Sequence, residues 1–148
     1  MEIKKLSSTH IDLFIELINL FEVVFEMEDF QMPPQAYLKN LLAKPNFMVL
    51  VALKNDQVIA GLTIYTLEQY YTTKPLAYIY DLAVQTSWQR QGIGQQLIKT
   101  AKEYCKNLGY EEVFVQADKA DHYALDFYRK TQPTEEEEVS HFYYRLES

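Results

Sequence analysis

Glycine is scarce in this chain, with four in 148 residues, and two of them, Gly92 and Gly94, stand two positions apart. They lie between an apolar run at residues 76–84 and a pattern in which Ile93, Leu97, Ile98, Ala101, Cys105 and Leu108 share one helical face. The spacing predicts strand, turn and helix, with the helix over 92–108 and Gly109 as its cap. The first N–H groups of a helix have no internal partner, and the dipole adds partial positive charge there. Glycines at that end let a phosphate approach the backbone. The local reading is therefore a pyrophosphate site. A Walker loop would need Lys followed by Ser or Thr where Gln95 and Gln96 stand. A dinucleotide fingerprint would need a third glycine where Leu97 stands. Both are excluded.

Around that segment the pattern predicts a short first strand at 3–6 and a helix capped by Thr9, with Leu13, Leu17, Leu20 and Phe21 on its face. Pro33-Pro34 opens a second helix carrying Tyr37, Leu38, Leu41 and Leu42. Residues 47–53 and 58–67 form a hairpin about Asn55-Asp56, and 76–84 is the next strand. After the long helix come a strand at 113–117, a short helix at 123–130 and a last strand at 139–146. The order is β-α-α-β-β-β-α-β-α-β. The fold class is a mixed α/β (α+β) domain, with a central, mostly antiparallel sheet flanked by helices. Residues 1–148 read as one domain.

The net charge of −7 disfavours a polyanionic partner, so no nucleic acid is expected, and it suits a cationic small molecule. No window has the apolar length of a membrane span, so no membrane partner is expected. A single cysteine, Cys105, gives no disulfide framework and fits a reducing, cytoplasmic setting. It sits on the apolar helix face, as a core residue. His10, His122 and His141 lack metal-ligand spacing, and no metal is expected.

Gln89-x-x-Gly92-x-Gly94 after Leu82-Ala83-Val84 resembles the acetyl-CoA motif of the GNAT N-acetyltransferase superfamily. Ala124-x-x-Phe127-Tyr128-x-Lys130 resembles its late motif, and Ile59-Ala60-Gly61 its early hairpin glycine. Residues 78–84, Arg90-Gln91-Gly92-Ile93 and Val115-Gln116-Ala117-Asp118 are similar to the aminoglycoside 3-N-acetyltransferase branch, as is Leu20-Phe21 with Phe25 and Glu26-Met27-Glu28.

The resemblance implies a GNAT fold and acetyl-CoA as cofactor, held by Leu82, Ala83, Val84, Gln89, Arg90, Gln91, Gly92, Ile93, Gly94, Gln95 and Tyr128. It implies direct acetyl transfer to a primary amine and, in this branch, a homodimer. A backbone N–H near Leu82 or Ala83 would stabilise the oxyanion, at about 3 kcal/mol for one such donor. Tyr128 would be the general acid, since a phenol with an ordinary pKa near 10 keeps its proton at neutral pH. Where relatives carry a glutamate base, this chain has Tyr78 and Tyr80. Asp81 and Asp118 are the remaining candidates, with a sheet-edge or dimer contact and a turn or N-cap role as the plainer alternatives. Glu26, Glu28, Asp29, Tyr80, Asp81 and Asp118 are the candidate substrate-binding residues. The segment Thr131-Gln132-Pro133 departs from the family pattern, which places glycine after the tyrosine helix. The alternatives to an aminoglycoside are another amine (a polyamine, a peptide N-terminus or a lysine side chain) and a non-catalytic acyl-CoA-binding module.

Overall fold

A computed structural model describes residues 1–147 as two compact units, 1–116 and 117 onward. The first unit is a five-stranded sheet: β1 (Glu2–Lys5), β2 (Phe47–Lys54), β3 (Gln57–Leu67), β4 (Leu76–Val84) and β5 (Glu112–Val115), in that spatial order. The first three pairings are antiparallel and β4–β5 is parallel. β2 is an unbroken apolar run because both of its faces are covered, so it shows no alternation. Phe47, Val49, Val51 and Leu53 join the core beneath helices α1 (Ile11–Val24) and α2 (Gln35–Ala43). Helix α3 (Ile93–Asn107) packs on β2, β3 and β4 through Leu97, Ile98, Ala101 and Cys105.

Gly61 on β3 fixes how closely α1 can lie. A Cβ there would stand 2.5 Å from a Leu17 methyl and 2.8 Å from the Leu50 carbonyl oxygen. Gly109 ends α3 at φ +84°, with its N–H on the Lys106 carbonyl and that of Tyr110 on the Cys105 carbonyl, a Schellman closure. Leu108 belongs to that cap and is 54% exposed, so the apolar face of α3 ends at Cys105.

The N-terminal cap of α1 differs from the expected one. The Thr9 hydroxyl is engaged with Ser7 Oγ at 2.9 Å, and His10 takes the cap position while its Nδ1 accepts from the Ser7 N–H at 2.9 Å. Among the described residues no helix is long and apolar enough to cross a membrane.

The second unit carries α4 (His122–Lys130) and then residues 131–147 without helix or strand. The strand expected at 139–146 is therefore not formed, because a strand exists only where another edge supplies its hydrogen bonds. Asp121 caps α4 by accepting from the Ala124 N–H at 3.0 Å. At the other end Gln132 takes the left-handed conformation that glycine normally supplies, at φ 58°. Its N–H reaches the Arg129 carbonyl, and Pro133 prevents continuation. The departure after Lys130 thus leaves a full helix through Tyr128.

Candidate active site

Strand β4 has a register shift against β3. Leu62 faces Leu82 and Ile64 faces Ile79, so Tyr80 and Asp81 together oppose the single residue Thr63. This is a β-bulge, a device that re-aims side chains. It is pinned by the Asp81 N–H donating to the buried Thr63 hydroxyl at 3.3 Å. Past the bulge, β4 also loses its other neighbour, since the β4–β5 ladder ends at Ile79 opposite Val115. The flank of residues 80–84 turned away from β3 is an open edge.

The phase of that edge follows from one bond. The Gln85 N–H donates to the Ile59 carbonyl at 2.8 Å, so by antiparallel alternation residues 83 and 85 point their backbone groups at β3. Leu82 and Val84 point theirs the other way. Of the two expected oxyanion donors, only Leu82 has its N–H on the open edge. The Val84 carbonyl on the same side accepts from Gln89 Nε2 at 3.0 Å, which ties the following loop back to the strand.

That loop runs through a short 3-10 turn, Thr86–Trp88, into α3. Arg90 and Gly92 lie in the left-handed region, at φ 63° and +82°. The Gly92 carbonyl accepts the first helical bond from Gln96 at 3.1 Å, which leaves the N–H groups of Ile93, Gly94 and Gln95 without intrahelical acceptors. A Cβ on Gly92 would meet no atom within 4 Å, so the space before these donors is open to a ligand. Open strand edge, exposed helix N-terminus and bare glycine are the three surfaces a pantetheine pyrophosphate arm needs, and the residues fit that group. Beside them Trp88, Gln91, Ile93 and Gln96 line a shallow cleft of about 200 Å³, with Lys54 Nζ 5.5 Å from the Trp88 ring centre.

On the other side of the bulge lies a row of aromatic rings. Tyr80 meets Tyr65 edge-on at 5.6 Å and Tyr78 edge-on at 5.8 Å. Tyr78 stacks on Phe114 at 4.8 Å, and Tyr65 leans on Phe47 at 5.1 Å. Burial pushes the Asp81 carboxyl above its ordinary value. Burial also raises the Tyr65 phenol, and Tyr80, Asp81 and Tyr37 add to the shift. A half-buried carboxyl among phenols can bind an ammonium group and hold its proton. Tyr65 carries no motif of its own in the sequence. Only its register opposite Tyr78 across the sheet reveals it.

The other expected acids are placed differently. Glu26, Glu28 and Asp29 follow α1 in an exposed loop, where Glu26 and Asp29 are left-handed at φ 51° and 54°. Asp118, in the second unit, has Oδ1 on the Ala120 N–H at 2.8 Å and its carbonyl on the Asp121 N–H at 2.9 Å, the geometry of a turn residue. Tyr128 stands on α4, half-buried, in an edge-on pair with Phe127 at 4.9 Å.

The profile of the Acetyltransferase (GNAT) family matches residues 14–132. The chain belongs to the GNAT acetyltransferase family. Acetyl-CoA is the cofactor of GNAT acetyltransferases. Among solved structures, an aminoglycoside acetyltransferase from an uncultured soil metagenomic sample, in complex with sisomicin, is 56% identical. The match covers 99% of this chain and 96% of that one, with a TM-score of 0.97. The same relative in complex with trehalose matches at 57% identity, with the same coverage and TM-score. A second soil-metagenome aminoglycoside acetyltransferase is 33% identical over 99% of this chain and 98% of its own, with a TM-score of 0.92. No curated protein matches the chain. The GNAT fold expected from the element order is the fold of these relatives, and the sheet order along β4 and β5 is what opens the cofactor edge.

Proposed function

We propose that this GNAT acetyltransferase acetylates a primary amine of an aminoglycoside, at the 3-N position that the sequence resemblance points to. The observation that carries the reading is the likeness, over nearly the whole chain, to an aminoglycoside acetyltransferase solved with sisomicin. The half-buried Asp81 beside Tyr65 and Tyr80 supports it independently, since a desolvated carboxyl among rings suits a cationic, partly apolar sugar.

Bound acetyl-CoA supplies an activated acetyl thioester. The N–H groups of Ile93, Gly94 and Gln95 hold its pyrophosphate, Gly92 gives the clearance, and Gln89 braces the loop against Val84. Arg90 and Gln91 complete the loop. The Leu82 N–H faces the developing oxyanion. Asp81 anchors the substrate ammonium and takes its proton on the way to the attacking amine. Its raised pKa makes it a better base than an ordinary aspartate. Asp118, with one oxygen already engaged in its turn, is the second choice for this step. Tyr128 returns a proton to the departing thiolate. Glu26, Glu28 and Asp29 add attraction for the other ammonium groups of a polycation. We place the enzyme in the cytoplasm, as a homodimer with a role in antibiotic resistance.

The test is release of free thiol from acetyl-CoA with sisomicin, spermidine and a lysine peptide in parallel, with the acetylated position read by NMR. Turnover of sisomicin with acetyl on the 3-amine is expected, and Tyr128→Phe should lower kcat about 100-fold while leaving CoA affinity unchanged. Acetylation of spermidine or the peptide alone would discard the aminoglycoside reading.

A further inference from the structure

Residues 139–146 already have the local geometry of a β-strand. His141 stacks on Tyr143 at 4.2 Å with their planes 8° apart, and the Arg145 guanidinium lies 5.0 Å from the Tyr143 ring centre. Side chains at i, i+2 and i+4 share one side only when the backbone between them is extended. One face of the segment is thus covered by its own stack. The opposite face carries Phe142, Tyr144 and Leu146, which are 75%, 86% and 93% exposed. Three large apolar side chains at alternate positions make a sheet-facing surface with no sheet.

The complementary feature belongs to the first unit. Its sheet ends at β5, whose outer flank is paired with no strand. The residues there, Val113, Phe114 and Val115, are apolar and only half-buried. An open apolar edge of this kind attracts another strand. One chain therefore offers a strand without a ladder and a ladder edge without a strand.

We propose that two copies of the chain exchange residues 139–146, each copy laying this segment along the β5 edge of the other. The proposal deepens the homodimer reading and does not depend on the identity of the amine. Donor and acceptor are both present in every copy, so a two-fold arrangement satisfies both at once and closes without further association. The area is sufficient. Burying Phe142, Tyr143 and Tyr144 at roughly 150–250 Å² each brings roughly 1,000 Å² across two copies, where specific interfaces begin. The acidic run before the segment is held within its own unit. Arg129 binds Glu136 through two nitrogens at 2.8 and 3.0 Å, and Lys119 reaches Glu138 at 2.8 Å. These exposed pairs add little stability, but they offset much of the repulsion that four successive glutamates would bring to a contact between copies.

The experiment uses the full chain in two forms. Light scattering at micromolar concentration should give twice the monomer mass, and Phe142→Asp with Tyr144→Asp should raise the dimer dissociation constant at least about tenfold. Far-UV circular dichroism checks that the variant is folded, and Tyr70→Asp, an equally exposed tyrosine elsewhere, should change nothing. Exchange itself is read by mixing one tagged copy carrying Glu112→Cys with a differently tagged copy carrying Ser140→Cys and treating them with a short bifunctional maleimide. A product bearing both tags is expected. A monomeric wild type would overturn both the homodimer and the exchange. A dimer that ignores the double substitution, or one that yields no two-tag product while a chain carrying both cysteines links within itself, would overturn the exchange alone.

Discussion

Two glycines in this molecule stand for two ways in which a fold uses the absence of a side chain. Gly61 lies in the middle of β3, buried, with α1 pressed onto it so that two Leu17 methyls and the Leu50 carbonyl surround the place of a Cβ. Its backbone is ordinary extended strand, and the reason for glycine is space. Gly92 lies at the mouth of α3 with no atom near the place of its Cβ, and its φ of +82° is the reason for glycine. The first region is set by packing and has one solution. The second is set by backbone conformation and leaves room, which is what a ligand-binding turn requires. Stability and function are thus separated within one chain: the sheet under α1 is closed, and the end of β4 is open.

Gly61→Ala should break the comparison most severely. The Leu50 carbonyl is backbone and cannot move aside, so overpacking should cost about 3 kcal/mol and lower Tm by about 10 °C in a thermal melt. Gly92→Ala should cost only about 1 kcal/mol, for the left-handed backbone, and lower Tm by about 3 °C. Its larger effect should be on CoA, with Kd raised about tenfold in a calorimetric titration, because the new methyl occupies the ligand's approach. Equal loss of CoA affinity in both variants would erase the distinction.

Asp81→Asn should give a smaller effect, with a sign set by pH. Burial raises the folded-state pKa of Asp81 above its ordinary 3.8, so the folded protein holds this proton more tightly than the unfolded chain. The favourable contribution is complete below about pH 3.8 and is lost as pH rises through the raised value, beyond which the buried charge opposes folding. Asparagine removes that charge. The variant should melt on the order of 1 °C higher than the parent at pH 7, and the gain should vanish at pH 3. Its turnover should fall while its stability rises, the pattern expected of a functional group held at a structural cost.

The closed region was largely readable from the sequence, and the open one only in part. The apolar run of β2, the helical face of α3 with its Gly109 cap, and the position of Tyr128 on a short helix all follow from local pattern, because a period or a cap is written in neighbouring residues. The bulge at Tyr80–Asp81 is not, since it depends on which residue of β3 lies opposite, and Thr63 is eighteen positions away from Asp81. The choice between Leu82 and Ala83 as the outward donor depends on that same register. Tyr65 enters the aromatic row for the same reason. Thr9 had the chemistry of a cap but is engaged by Ser7, a competition that spacing cannot weigh. The strand pattern at 139–146 was read correctly as alternation, yet alternation specifies a strand's faces and not its partner.

The account's central claim is that acetyl-CoA lies along the open flank of β4 and against the mouth of α3. Titrating CoA into isotopically labelled protein and following backbone amides by NMR tests this most directly. The largest shifts should fall on Leu82, Val84, Gly92, Ile93, Gly94 and Gln95, with Ala83 moving less because its N–H is turned to β3. Shifts concentrated on the far edge, at β1 and the Asn55-Asp56 turn, with Leu82 and Gly94 unmoved, would contradict the account.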